Sequence, residues 1–265
     1  MTTSTILVTG GTGTLGRLVV PLLRDAGREV RVLSRRERER EGGGGVAYVT
    51  GDLLKDEGVE AAVEGAGVVL HLAGGAKGDD VATRNLVRAA RAAGVGHLVY
   101  ISVIGADTVP LSYFRAKLEA ERAVAESGLP WTTLRAAQFH DLALKVVTAM
   151  GKLPVVPAPG GVRWQPVDAR EVAARLVELA LGEPAGAVPD LAGPEVYELA
   201  ELSRGYLRAA GKRRPMLPVR VPGGLGRAYR AGENLNLDGA VRGRRTWEGF
   251  LAERVGRGVE RAGGR

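Results

Sequence analysis

Cysteine is absent from the 265 residues, so neither a disulfide framework nor thiolate chemistry is part of this design. Histidine occurs only at positions 71, 97 and 140, too dispersed to suggest a metal centre, and no metal ligands are expected. Aromatic residues make up 5% of the chain, which argues mildly against a large aromatic-lined pocket. No apolar run approaches the length of a membrane span, and the opening MTTSTILV lacks the basic and apolar regions of a signal peptide. A cytoplasmic protein with no membrane partner is the expectation.

What the chain does contain suits a globular enzyme. It is 45% hydrophobic and 25% charged, enough to bury a sizeable core. Its net charge of +7 is uneven: from Tyr206 onward there are 14 Arg and Lys against 5 Asp and Glu, so the excess belongs to the C-terminal segment alone. With few aromatics for stacking and no recognisable binding motif there, a solvated basic face is expected and no nucleic-acid partner.

The most informative stretch is Thr9 to Gly16, TGGTGTLG. It follows the apolar run Ile6-Leu7-Val8 and precedes Leu15, Leu18, Val19, Leu22 and Leu23, which share the spacing of one helix face. A strand, a glycine turn and a helix are predicted. Gly10 would permit the turn, Gly13 would let backbone approach a pyrophosphate, and Gly16 would let helix and strand pack closely. Thr9, Thr14 and Leu15 complete this cradle at a helix N-terminus, whose unpaired N–H groups favour phosphate. The spacing is G-x-x-G-x-x-G, one residue off the commonest dinucleotide fingerprint.

Strand-like runs then alternate with helical patterns, the signature of a parallel sheet covered on both faces. Strands are predicted near 5–9, 29–34, 46–50, 67–72, 97–102 and 131–135, and helices near 14–26, 56–64, 79–93, 112–127 and 138–150. The loop 35–45 is charged and then glycine-rich. Past Met150 the alternation loosens at Pro154, Pro157 and Pro159, before a strand at 162–167 and a helix at 169–181 that Asp168 would cap. The expectation is a doubly wound α/β sheet of Rossmann type over 1–150, with a smaller substrate-binding or lid portion over 151–265.

At the end of the second strand a dinucleotide site that takes NAD usually carries an acid. Here Ser34, Arg35 and Arg36 stand instead, which suits a 2′-phosphate, so NADP(H) is favoured over NAD(H). Asp52 and Leu53 follow the third strand, where the carboxylate could accept from an adenine amino group or simply form a turn. Leu72, Ala73 and Gly74 supply small residues after the fourth. Tyr113 and Lys117 lie four apart on one helix face, where the ammonium would favour phenolate and hold the nicotinamide ribose. Ser102, ending the fifth strand, could orient the oxygen that Tyr113 protonates.

With these residues in view, the chain resembles an atypical short-chain dehydrogenase/reductase of the NmrA-like branch. The likeness runs through ILVTGGTGTLG, GDL, HLVYISVIGAD, YFRAKLEAER and SGLPWTTLRAAQFHD. It implies NADP(H) at Gly10, Gly13 and Gly16, with Tyr113 and Lys117 at the family's Y-x-x-x-K positions and Ser102 at its active serine. The Asn-Asn-Ala-Gly pattern of typical members reads Leu72-Ala73-Gly74-Gly75 here, so an asparagine-supported relay is not implied. Many NmrA-like relatives have lost the tyrosine and act as redox sensors, whereas this chain keeps it.

The expected function is therefore hydride transfer from NADPH to a carbonyl, quinone or related unsaturated small molecule. The alternatives are an NADP(H)-binding sensor without turnover and a nucleotide-sugar epimerase or dehydratase. Gln138, Phe139, His140 and Trp164 are the expected substrate residues, with Phe139 and His140 equally readable as core. Helices 79–93 and 112–127 could pair across a homodimer, or spend their apolar faces on the sheet.

Overall fold

The computed structural model describes residues 5–37, 46–75 and 77–256. These form two compact units that interleave along the chain. The first comprises Met1–Asp107, Leu111–Arg135 and Arg170–Pro189; the second comprises Thr108–Pro110, Ala136–Ala169 and Asp190–Arg265.

The first unit opens with β1 (Thr5–Thr9), α1 (Gly16–Asp25), β2 (Val30–Ser34), β3 (Val46–Thr50), α2 (Val59–Val63) and β4 (Ala66–His71). It continues with α3 (Asp79–Ala92), β5 (His97–Val103), α4 (Ser112–Ala125) and β6 (Trp131–Ala136). The strand order is β6-β5-β4-β1-β2-β3. Pairing is parallel at β1/β2, β1/β4, β2/β3 and β4/β5. This is the mostly parallel, helix-flanked Rossmann-type sheet expected.

Strands covered on both faces have no solvent side to keep polar, so they read as continuous apolar runs. Ile6, Leu7 and Val8 are 2%, 0% and 0% exposed. Leu7 joins Leu33, Val69, Leu86, Leu98 and Val124 in one core cluster. The strand order reverses direction between β1 and β4, the switch point where α/β sheets open a crevice at the strands' carboxyl ends.

The interleaving elements come later in the chain. They are α5 (His140–Met150), β7 (Val156–Pro159), β8 (Arg163–Trp164), α6 (Ala169–Leu181), β9 (Gly186–Ala187), β10 (Leu191–Ala192) and β11 (Tyr197–Glu198). After these follow α7 (Leu199–Ala209), β12 (Met216–Val219), α8 (Gly223–Ala231), β13 (Val241–Arg242) and α9 (Trp247–Leu251). In the first unit β9 pairs β6. In the second, β10 pairs β13, β11 pairs β8 antiparallel, and β12 pairs β7 in parallel with Met216 opposite Val156.

The second unit has its own core of Val147, Trp164, Tyr197, Leu202, Tyr206, Trp247 and Phe250. The predicted strand 162–167 is only two residues long, because Pro166 has no N–H to give a ladder. The predicted helix 138–150 starts at His140, since Phe139 is held extended by a bridge to Val167.

Candidate cofactor and active site

The first unit carries a cavity of about 360 Å³ at the carboxyl ends of β1 to β4. Of the expected cofactor residues, Thr9, Gly10, Gly13, Ser34, Arg35, Asp52, Leu53, Leu72, Ala73 and Gly74 line it. Thr14, Leu15, Gly16, Arg36 and Lys117 are not among its lining residues.

The glycine turn is built for close approach. Gly10 has φ +68°, and a Cβ on it would come within 2.6 Å of Ala73 N. A Cβ on Gly16 would run into the Gly10 carbonyl and Gly11 Cα, so α1 begins directly against the turn. Gly13 is exposed and meets only Gly10 O, which leaves its outer face open to a ligand. These are the spaces a pyrophosphate needs, and the residues present fit a bound dinucleotide.

At the adenosine end, Ser34 is buried and Arg35 and Arg36 are exposed. Ser34 Oγ accepts from Arg36 N at 3.3 Å, curling the loop so that Arg35 lies on the cavity wall. Asp52 closes an Asx-type turn, its Oδ1 accepting from Leu54 N at 2.9 Å.

Below the far end of the cavity lies a pair that the sequence did not announce. Lys117 Nζ is 3.0 Å from Asp79 Oδ2, and each side chain is 6% exposed. Gly74 sits over them, since a Cβ there would be 3.2 Å from Lys117 Nζ and 3.3 Å from Asp79 Oδ2. Asp79 also accepts from Gly75 N at 2.6 Å, while Lys117 donates to Tyr100 OH at 3.3 Å and Ile101 O at 3.4 Å. Asp79 opens α3 beside Asp80, where an acid ordinarily reads as a helix-dipole partner.

Tyr113 is half-buried on the first turn of α4, its ring edge-on to Phe114. Burial, reinforced by the Asp79 carboxylate, pushes its phenol up to about 12. The shift is opposite to that expected from a lysine four residues on: burial raises it first and the Asp79 carboxylate, which also engages Lys117, adds to it. Ser102 Oγ is buried with no protein hydrogen-bond partner.

Behind the cavity runs a chain of polar groups with a fixed direction. Thr9 Oγ1 accepts from Ala73 N at 3.2 Å and contacts His71 Nδ1 at 2.7 Å. His71 Nε2 is 3.0 Å from Thr83 Oγ1, which donates to Asp79 O at 2.6 Å. Thr83 therefore accepts from His71 Nε2–H, and Thr9 donates to Nδ1. His71 is kept neutral, its basicity lowered to about 3 by burial and then by Lys117.

The four expected substrate residues lie in the second unit. Gln138 is 8% exposed, and neither its Oε1 nor its Nε2 has a protein partner. His140 is fully buried and contacts the rings of Trp247 and Phe250 at 5.8 and 5.1 Å. Trp164 is part of the second unit's core. Phe139 bridges Val167.

Fold and cavity together define a dinucleotide-binding α/β protein. The chain belongs to the NAD(P)H-binding family, whose model matches residues 10–180, and within it to the NmrA-like, atypical short-chain dehydrogenase/reductase branch. It is 34% identical over 212 residues to the (4-alkanoyl-5-oxo-2,5-dihydrofuran-3-yl)methyl phosphate reductase of Streptomyces griseus, covering 78% of this chain and 74% of that protein. It is 33% identical over 216 residues to the NAD(P)H azoreductase of Xenophilus azovorans, with the same coverages of 78% and 74%. The crystal structure of NADPH-dependent quinone oxidoreductase from Escherichia coli, complexed with NADPH, superposes with a TM-score of 0.80 at 21% identity over 94% of this chain and 99% of that one. These relatives place the chain among NAD(P)H-dependent oxidoreductases.

Proposed function

We propose that the protein is an NADPH-dependent reductase that reduces a carbonyl, quinone or related unsaturated small molecule, with Tyr113 as proton donor. The observation that carries this is the cavity fitted to a dinucleotide, in the same unit as the half-buried Tyr113 and in a chain similar to NAD(P)H-dependent reductases. The bound nicotinamide would supply the hydride. Tyr113 gives its phenolic proton to the oxygen that gains charge, and solvent returns one to the phenolate. Ser102 Oγ, with no protein partner, is free to donate to the same oxygen.

Lys117 acts here as a buried, anchored cation whose position Asp79 fixes, and it would serve the nicotinamide ribose. Arg35 on the cavity wall supports the preference for a 2′-phosphate. Gln138, with donor and acceptor both unspent, is the expected substrate residue best equipped to hold a polar group; Phe139, His140 and Trp164 stay in the proposal as its apolar surroundings. A cytoplasmic location and a homodimer through α3 and α4 accompany this reading. Cofactor sensing without turnover is the second reading, favoured by Lys117 being committed to Asp79 instead of Tyr113.

The test is NADPH and NADH oxidation over quinones, ketones and aldehydes with wild-type, Tyr113→Phe and Arg35→Glu proteins. Tyr113→Phe is expected to lower kcat by roughly a hundredfold or more while leaving NADPH binding intact. Arg35→Glu is expected to weaken NADPH more than NADH. Unchanged turnover in Tyr113→Phe would remove the assigned acid, and tight binding with no turnover on any compound would bring the sensor reading forward.

A further inference from the structure

One face of the second unit is strongly basic and partly apolar at once. Arg204, Arg208, Lys212, Arg213 and Arg214 line an open groove of about 480 Å³ with Leu207, Pro215 and Met216. Residues 203–221 hold six Arg and Lys and no Asp or Glu, and residues 151–160 add Lys152, again without an acid. Among the described residues none of the five groove cations has a carboxylate partner. By contrast Arg88 and Arg135 each engage two carboxylates.

The adjoining strands supply the apolar part. The β7/β12 pair places Met216 opposite Val156, and Val156 is fully buried. Side chains alternate along a strand, so Val155, Pro215 and Leu217 fall on the opposite, outward face. Leu153, Val155 and Leu217 are 46%, 43% and 58% exposed. Large aliphatics held in water beside unpaired cations are costly for solubility and mark a contact surface.

We propose that this face binds an anionic lipid surface peripherally, its cations meeting headgroup phosphates and Leu153, Val155 and Leu217 entering the interfacial zone. The paired chemistry decides between polyanions. Nucleic acid would satisfy the cations, but no lining side chain is an aromatic that could stack on a base, and nothing in it rewards outward aliphatics. An anionic bilayer rewards both, by electrostatic attraction and by burial of apolar area. No described helix is long and apolar enough to cross a membrane, and a peripheral surface needs none. The absence of a span, from which no membrane partner was expected, does not bear on this mode.

The experiment is co-sedimentation of the full chain with vesicles of phosphatidylcholine alone, or mixed with phosphatidylglycerol, at low and high salt. Binding is expected only to the mixed vesicles and to weaken with salt. The triple variant Arg208→Gln/Arg213→Gln/Arg214→Gln should lose roughly a hundredfold in partitioning, from about a factor of five per cation. Val155→Ser/Leu217→Ser should lose the portion that survives high salt. Hydrogen exchange on the wild-type chain reads the same contact without a variant, with vesicles expected to protect 212–220. Equal sedimentation with both vesicle types, no protection of 212–220, or a triple variant that binds like wild type would overturn the proposal. Tighter binding of single-stranded DNA than of mixed vesicles through the same cations would overturn it in favour of nucleic acid.

Discussion

The two units treat their buried polar groups differently. Behind the cofactor cavity the first unit links Ala73, Thr9, His71, Thr83 and the Asp79 carbonyl in one directed chain, while the Asp79 carboxylate pairs with Lys117. The second unit buries Gln138, His140 and Trp164 with polar side-chain atoms that make no protein hydrogen bond, although His140 Nδ1 lies 3.9 Å from Asp168 Oδ2. Outside its chain the first unit also leaves Ser102 Oγ, His97 Nδ1 and Thr133 Oγ1 without partners. A buried amide or hydroxyl without a partner costs about 1–3 kcal/mol. Groups of the first kind hold a shape, and groups of the second kind are worth their cost only if a ligand meets them.

The largest effect should come from breaking the ion pair beside the directed chain. Asp79→Ala strands the buried Lys117 ammonium and should destabilise by about 3–5 kcal/mol in urea unfolding. Asp79→Asn keeps the volume and removes the field that helps hold Tyr113 protonated, so the phenol's titration should fall below about 12. A pH–rate profile that did not move in Asp79→Asn would reduce Asp79 to a purely structural part.

Next in size is a pH effect carried by His71. Its folded-state pKa of about 3 lies below the unfolded value of 6.5, so acid adds a proton to the unfolded chain first. Stability from this group is complete above pH 6.5 and is lost as pH falls from there toward 3. Between pH 7 and pH 5 the loss should be about 2 kcal/mol. His71→Gln should flatten that part of the profile relative to wild type.

The smallest effect should have the opposite sign. Gln138→Leu removes two unsatisfied polar atoms and should leave stability unchanged or raise it by about 1 kcal/mol, while raising KM more than it lowers kcat. A clear loss of stability instead would mean that Gln138 belongs with the satisfied groups, and the contrast between the units would fail there.

Much of the first unit was legible because its physics is local and periodic. A strand buried on both faces has to be apolar throughout, so runs such as Ile6-Leu7-Val8 and the stretch predicted at 67–72 gave bounds within a residue or two of those observed. The glycine turn was legible because each glycine answers a separate steric demand. Asp79 was not, because an acid at a helix start has a sufficient ordinary explanation. Its partner is 38 residues away, and only folding brings Lys117 beneath Gly74. The short strands β9 to β11 and β13 were illegible for a related reason: two residues carry no periodicity, and their pairing is set wholly by distant partners. The opposite shift at Tyr113 was illegible too, since sequence spacing gives a lysine's position on a helix and neither the burial that raises the phenol first nor the Asp79 carboxylate that adds to it.

The interleaving of the units has a consequence for the order in which the chain can fold as it is made. The first unit includes Arg170–Pro189, with most of α6 and the β9 strand that pairs β6. A ribosome that has released only the first 150 residues has released the glycine turn, the cavity walls and Tyr113, but not the helix and edge strand that complete their unit. The cofactor-binding half must therefore wait, incomplete, while Ala136–Ala169 of the other unit emerges. Ligand present during synthesis can stabilise it fully only after Pro189 is clear.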